Sequence, residues 1–276
     1  MQETNNTAAL RVSELWMYPV KSLGGIAVPQ AKVLAKGFEY DRRWMLIDER
    51  NEFITQRVLH QLALFKLSFH QHGFMLHHAG HEMLLPLHEH NSEPIRATIW
   101  DDAVEVLEVS AAHSAWFSTQ VGLSCKLVYF PEAHTRKVDA TYALNSDEVS
   151  LADGYPILLI GQTSLDDLNS RLQTPVPMNR FRPNIVVEGG KAFDEDCWQH
   201  FTIGDAAFAG VKPCARCVLT TVNQETGEQG VEPLATLSKY RKTGNKVLFG
   251  QNVLPLTLGQ LIRIGDSVKV TLLTSA

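Results

Sequence analysis

Cys214 and Cys217 lie three residues apart in "KPCARC", with Lys212 upstream of the pair and Arg216 directly before its second cysteine. Three chemistries use such a pair. A structural zinc site needs four ligands, from two such pairs or from one pair and two spaced histidines. No second C-x-x-C exists, and His200 is the last histidine, so zinc is disfavoured. A thioredoxin-like redox pair opens a helix in a βαβ context. Here Cys217 leads into "VLTTV", whose β-branched residues predict a strand, which weakens that reading too. The third chemistry is a lone thiolate holding a soft metal carried by a bound cofactor. Lys212 and Arg216 favour the ionised sulfur and attract an anion beside it. Two structural cysteines at a strand start are the plain alternative, and spacing alone gives it about half the weight.

Further polar groups cluster at other strand edges. "YPVKS" sets Lys21 and Ser22 beside the Gly24-Gly25 loop, and "YDRRWML" sets Arg42 and Arg43 before an apolar run. "NRFRPNIVV" sets Arg180, Arg182 and Asn184 before another. Singly, each reads as an ordinary surface residue. Together they offer ammonium, hydroxyl, guanidinium and amide donors suited to an anionic, hydrogen-bond-rich ligand such as a phosphorylated pterin. Seven of the eleven histidines fall between His70 and His90, but their spacing fits no helical His-x-x-x-His pattern. They read as polar positions on exposed strands and receive no function. Cys125 and Cys197 read as buried small hydrophobes.

The elements that must position these groups are mostly strands. "ELWMYPVKS", "RRWMLIDERNEFITQR", the pieces around Gly73 and "HAGHE", and "ATIWDDAVEVLEVS" predict short strands and hairpins. Strands resume in "PNIVVEG", "HFTIGDAAFAGV", "CVLTTV", "NKVLFGQNVL" and "LIRIGDSVKVTLL". Helices are expected over 111–122, ending on Gly122, over 163–173, with a Thr or Ser cap and acids in the first turn, and over 232–244. The fold class is mainly β with some α, an α+β protein.

Composition bounds the function. The 276 residues suffice for one large domain or two ordinary ones. A net charge of −5 argues against nucleic acid as a partner, which wants a basic surface. No apolar run reaches the ~18 residues of a membrane helix, so no membrane partner is expected. "MQETNNTAALRV" lacks a signal-peptide or transit-peptide layout, which predicts a disordered lead over 1–9 and a cytoplasmic protein.

"YPVKS", "DRRWMLID", "SLDDLNSRL", "FRPNIVV", "CARCVLTTVNQETGE" and "LFGQ", in that order, give the chain its resemblance to a known family. It resembles the MOSC superfamily, in the branch containing the mitochondrial amidoxime reducing component and its bacterial relatives. The likeness runs from about residue 12 to about residue 270, nearly the whole chain. It implies an N-terminal MOSC-type β-barrel domain over 10–128, a β-rich MOSC domain over 129–276, and molybdenum cofactor (Mo-molybdopterin) between them. By that resemblance Cys217 is the thiolate on molybdenum and the catalytic residue, with Cys214 a neighbour. Lys21, Ser22, Arg42 and Arg182 match positions contacting the pterin and its phosphate; Asn184 and Arg216 join them, and Asp153–Tyr155 face the cofactor. The implied activity is reduction of small N-hydroxylated compounds (hydroxylamines, amidoximes, N-oxides). Some bacterial relatives append a four-cysteine iron–sulfur domain, and this sequence lacks those cysteines. A separate electron donor, a flavin reductase or ferredoxin-type protein, is therefore expected. The alternative is a sulfur-carrier, or a cofactor-handling or storage module, without reductase turnover.

Overall fold

The computed structural model describes residues 9–273, so the lead expected over 1–9 lies, but for residue 9, outside the described residues. The strand Arg11–Met17 buries Val12, Leu15 and Met17. The step from Val12 to Leu15 is three residues rather than two because a bulge between Val12 and Glu14 resets the alternation. This strand joins a sheet ordered Val268–Leu273, Trp198–Ile203, Ala206–Arg216, Lys246–Pro255, Ile157–Gly161, Ile185–Glu188, Arg11–Met17 and Ile26–Ala27. Lys242–Thr243 adds a short ninth strand against Lys246–Pro255. All these neighbours are antiparallel except Ile157–Gly161 and Ile185–Glu188, a parallel pair with the helix Gln162–Ser170 in the connection between them. Smaller sheets complete the strand-dominated α+β fold: one of four strands, with Trp44–Ile47 at its edge and Lys126–Tyr129 next to it, and two of three strands.

The two halves of the sequence interlock. Arg11–Met17 pairs with Ile185–Glu188, and Leu261–Arg263 returns to pair with Gln30–Leu34. One apolar cluster accordingly spans both, packing Val20, Trp44, Phe65 and Phe117 with Ile157, Phe201 and Val253. Burying such side chains stabilises by about 1.5–3 kcal/mol each, which ties the two halves together.

The three expected helices form, as Ala111–Val121, Gln162–Ser170 and Leu234–Tyr240. Ala111–Val121 ends on Gly122 at φ 68°, the left-handed cap its glycine suggested. The expected side-chain cap of the second helix is absent. Buried Glu195 reaches across instead, accepting from the Gly161 N–H at 3.1 Å and the Ser164 hydroxyl at 2.8 Å. Two local expectations are corrected. "VLTTV" forms a single 3-10 turn, Val218–Thr221, rather than a strand. The Thr220 and Thr221 hydroxyls bond back to the carbonyls of Cys217 and Val218, taking the place of ladder partners. Cys197 is exposed, because the short turn Asp194–Cys197 turns Glu195 inward.

Candidate functional site

In a regular strand, residues three apart face opposite sides. Cys214 and Cys217 nevertheless line the same cleft. The pairing of Ala206–Arg216 with Lys246–Pro255 breaks register between Gly210 and Lys212 and again between Pro213 and Ala215, and the strand stops at Arg216. The second break re-aims Cys214, and the turn after Arg216 presents Cys217. Both thiols are free, and each has its own guanidinium. Arg57 Nε donates to Cys217 Sγ at 3.2 Å, and Arg216 donates to Cys214 Sγ at 3.0 Å. Among the described residues no three histidine, cysteine or acidic side chains converge as a metal-binding group.

The same cleft gathers Lys21, Ser22, Arg42, Arg182, Asn184, Arg216 and Cys217. Its volume of ≈ 290 Å³ is far beyond the ~15 Å³ that one water needs, so it accommodates a sizeable ligand. Three of these residues stand in left-handed backbone: Ser22 at φ 69°, Arg42 at φ 49° and Arg182 at φ 56°. Such conformations cost about 1–3 kcal/mol each in a non-glycine residue, and strain of this kind gathers where side chains must be aimed. Arg42 and Arg182 flank the buried ring of Tyr18, each guanidinium 4.3 Å from its centroid. Arg42 also bonds Asp41 at 2.6 Å, Asn184 at 3.0 Å and the Arg182 carbonyl at 3.2 Å. Asn184 donates one amide N–H to the Trp16 carbonyl, and its oxygen accepts from the Leu158 N–H as well as Arg42. Its oxygen thereby orients Arg42. Arg43 and Arg180 turn to structural partners: Arg43 to Glu132, Arg180 to the carbonyls of Thr220 and Glu232.

Asp153 is the counterweight. Its carboxylate takes Lys21 Nζ at 2.6 Å, Arg57 at 3.0 Å and the Trp100 indole at 3.3 Å. Desolvation by the surrounding cleft pushes this carboxyl up, but its side chain is 59% exposed, and Lys21 and Arg57 together hold it well below the usual carboxylate range. Arg136, itself buried, fixes the loop through the carbonyls of Ser150, Ala152 and Asp153. Six cations (Lys21, Arg42, Arg57, Arg182, Lys212 and Arg216) thus line the cleft with one carboxylate, Asp153. In a chain of net charge −5, that concentration of positive charge makes an anion site.

Burial lowers Lys21 to about 8, against the pull of Asp153, and Arg182 to about 10. Between about 8 and the ordinary lysine value the unfolded chain binds more protons than the folded one, so Lys21 makes the fold gain stability as pH rises through that window. Anion binding has the opposite slope, since it needs the ammonium. Affinity for inorganic pyrophosphate, followed by titration calorimetry, is expected to be full below about pH 8 and to fall above it. Lys21→Arg should flatten that fall; an unchanged fall would remove Lys21 from the anion site.

Arg57 and Arg136 were not among the residues read from the sequence. Lys212, read from its place beside the cysteine pair, lies 4.0 Å from the Tyr142 ring centroid. Arg57 carries no such local signal.

The MOSC N-terminal beta barrel domain model matches residues 9–124, and the MOSC domain model matches residues 146–269. The chain is 34% identical over 278 residues to mitochondrial amidoxime-reducing component 1 of Mus musculus, an alignment covering 93% of this chain and 81% of that protein. It is 35% identical to mitochondrial amidoxime reducing component 2 of Rattus norvegicus, covering 93% and 82%. Molybdenum cofactor sulfurase of Oryza sativa subsp. japonica is 30% identical over 87% of this chain, which corresponds to 32% of that longer protein. With matches to both models that together span most of its length, the chain belongs to the MOSC family, an N-terminal beta barrel domain followed by a MOSC domain.

Proposed function

We propose that this chain binds molybdenum cofactor and reduces small N-hydroxylated compounds with electrons from a separate donor protein. The observation that carries the reading is a thiol, Cys217, at the end of a strand in a cleft lined by six cations. The donor set fits the group: a soft sulfur for the metal, and guanidinium and ammonium donors for a phosphorylated pterin. The reaction class comes from the relatives, whose names describe amidoxime reduction.

When bound, the cofactor supplies two-electron oxidation and reduction at a metal. Cys217 Sγ would hold that metal. Arg42 and Arg182, held against Tyr18, and Lys21 would hold the phosphate and pterin, with Arg216 and Lys212 on the strand that bears Cys214 and leads to Cys217. Asp153 keeps Lys21 and Arg57 from swinging out of the cleft. In the overall reaction the N–O bond breaks, two electrons arrive from a flavin reductase or ferredoxin-type donor, and two protons carry the oxygen away as water.

Protein purified from a host that makes molybdenum cofactor is expected to hold about one molybdenum per chain by mass spectrometry, the stoichiometry of one thiolate ligand per site. Zinc without molybdenum would overturn the reading. Sulfur-carrier function is the second reading, favoured by the second thiol and its Arg216 contact and by the likeness to the sulfurase. It requires a persulfide on Cys214 or Cys217, seen as a mass increase reversed by reductant, and no turnover of an amidoxime.

A further inference from the structure

Trp100 sits at the tip of a hairpin, between the strands Pro94–Ile99 and Asp102–Glu108, whose register pairs Ile99 with Asp102. Its φ is 55°. Hairpin positions of that kind favour Gly, Asn or Asp, because a Cβ is poorly tolerated there, and a bulky aromatic is strained. The indole is not held there by the core, being 40% exposed. It is held by the cleft. Its ring lies 4.1 Å from the Arg57 guanidinium carbon, its N–H donates to Asp153 at 3.3 Å, and it meets the Phe53 ring edge-on at 4.8 Å.

Arg57 is the link to the thiol. A guanidinium is planar, and with the indole beside it Arg57 gives one N–H to Asp153 at 3.0 Å and its Nε–H to Cys217 Sγ at 3.2 Å. Sulfur is the weaker acceptor of the two. Without the indole, the Asp153 pair persists and the contact to sulfur is the one that loosens.

We propose that Trp100 is a positioning residue: its strained turn holds Arg57 against Cys217 and so shields and orients the sulfur. The shielding is a property of the protein itself. Only the effect on metal rests on the reading of Cys217 as a molybdenum ligand.

Trp100→Gly and Trp100→Asn suit the backbone, so both should fold and melt at or above the wild-type temperature. That outcome separates a positioning role from a merely structural one. In cofactor-free protein at about pH 10, above the range in which a free thiol ionises so that the rate reads shielding alone, alkylation of Cys217 by iodoacetamide, read by peptide mass spectrometry, should run several-fold faster in both variants. Arg57→Ala should show the same rise, Trp100→Gly should add little on top of it, and Trp100→Phe should restore most of the protection. In metal-loaded protein, Trp100→Gly and Arg57→Ala should shift the Mo(V) electron paramagnetic resonance spectrum alike and lose molybdenum faster on gel filtration. Wild-type alkylation rates in both turn variants, or effects of Trp100→Gly and Arg57→Ala that add in full, would overturn the proposal. A wild-type protein without molybdenum would remove the ligand assignment and leave the alkylation result to decide on Trp100.

Discussion

Replacing Cys217 with serine is expected to lower reduction of an amidoxime or hydroxylamine, with reduced viologen as artificial donor, by on the order of 10³-fold, about 4 kcal/mol of barrier. The substitution exchanges a soft sulfur for a hard oxygen, and a metal that prefers thiolate loses its protein anchor. The fold should survive, because Cys217 is only half-buried and the serine hydroxyl still accepts from Arg57. Cys214→Ser is the control. Cys214 lines the same cleft and has its own guanidinium, so its loss disturbs the surroundings but removes no ligand. Its expected cost is at most about tenfold, the lower end of what a group one shell away from a metal contributes. Measuring molybdenum in both variants separates a lost ligand from a slowed reaction. Wild-type turnover in Cys217→Ser, or a larger loss in Cys214→Ser, would reverse the assignment of the pair.

The site residues read from the sequence were those carried by short, locally distinctive segments. "YPVKS", "YDRRW", "FRPN" and "CARC" each place a charged or soft group at a strand end, and strand ends in this fold meet at one cleft. Arg57 was missed because nothing in "ITQRVLH" distinguishes it from a surface arginine; its partner Cys217 lies 160 residues away. Trp100 was missed for a related reason: its turn was legible, but its left-handed backbone and its contact with Arg57 are properties of the folded chain alone. Propensity misled at "VLTTV", where β-branched residues suggested a strand. Two threonine hydroxyls made local bonds that closed a 3-10 turn instead. That turn removes the original ground for setting a redox pair aside. The four-residue turn nonetheless follows an antiparallel strand rather than opening the long helix of a βαβ unit.

Arg42→Ala should be the most destabilising single change in the site, costing about 3–5 kcal/mol in urea unfolding, the range for breaking a buried ion pair from one side. Asp41 is fully buried, and its carboxylate has two partners: the Tyr18 N–H at 2.8 Å and Arg42 at 2.6 Å. Removing the guanidinium leaves a buried charge with one neutral donor. Alanine keeps the Cβ at φ 49°, so backbone strain is unchanged and the loss reports on charge and contacts. Adding Asp41→Asn tests this directly. The amide oxygen still accepts from Tyr18, the uncompensated charge is gone, and most of the lost stability should return. Binding of pyrophosphate should not return, because the guanidinium that Asn184 and Tyr18 hold in the cleft is still missing. Recovery of both would mean that Arg42 serves the fold alone; recovery of neither would mean that its contacts to Asn184 and the Arg182 carbonyl, rather than the Asp41 pair, carry its weight. Recovery of stability without binding is the expected result, and it would separate the two tasks of one strained residue.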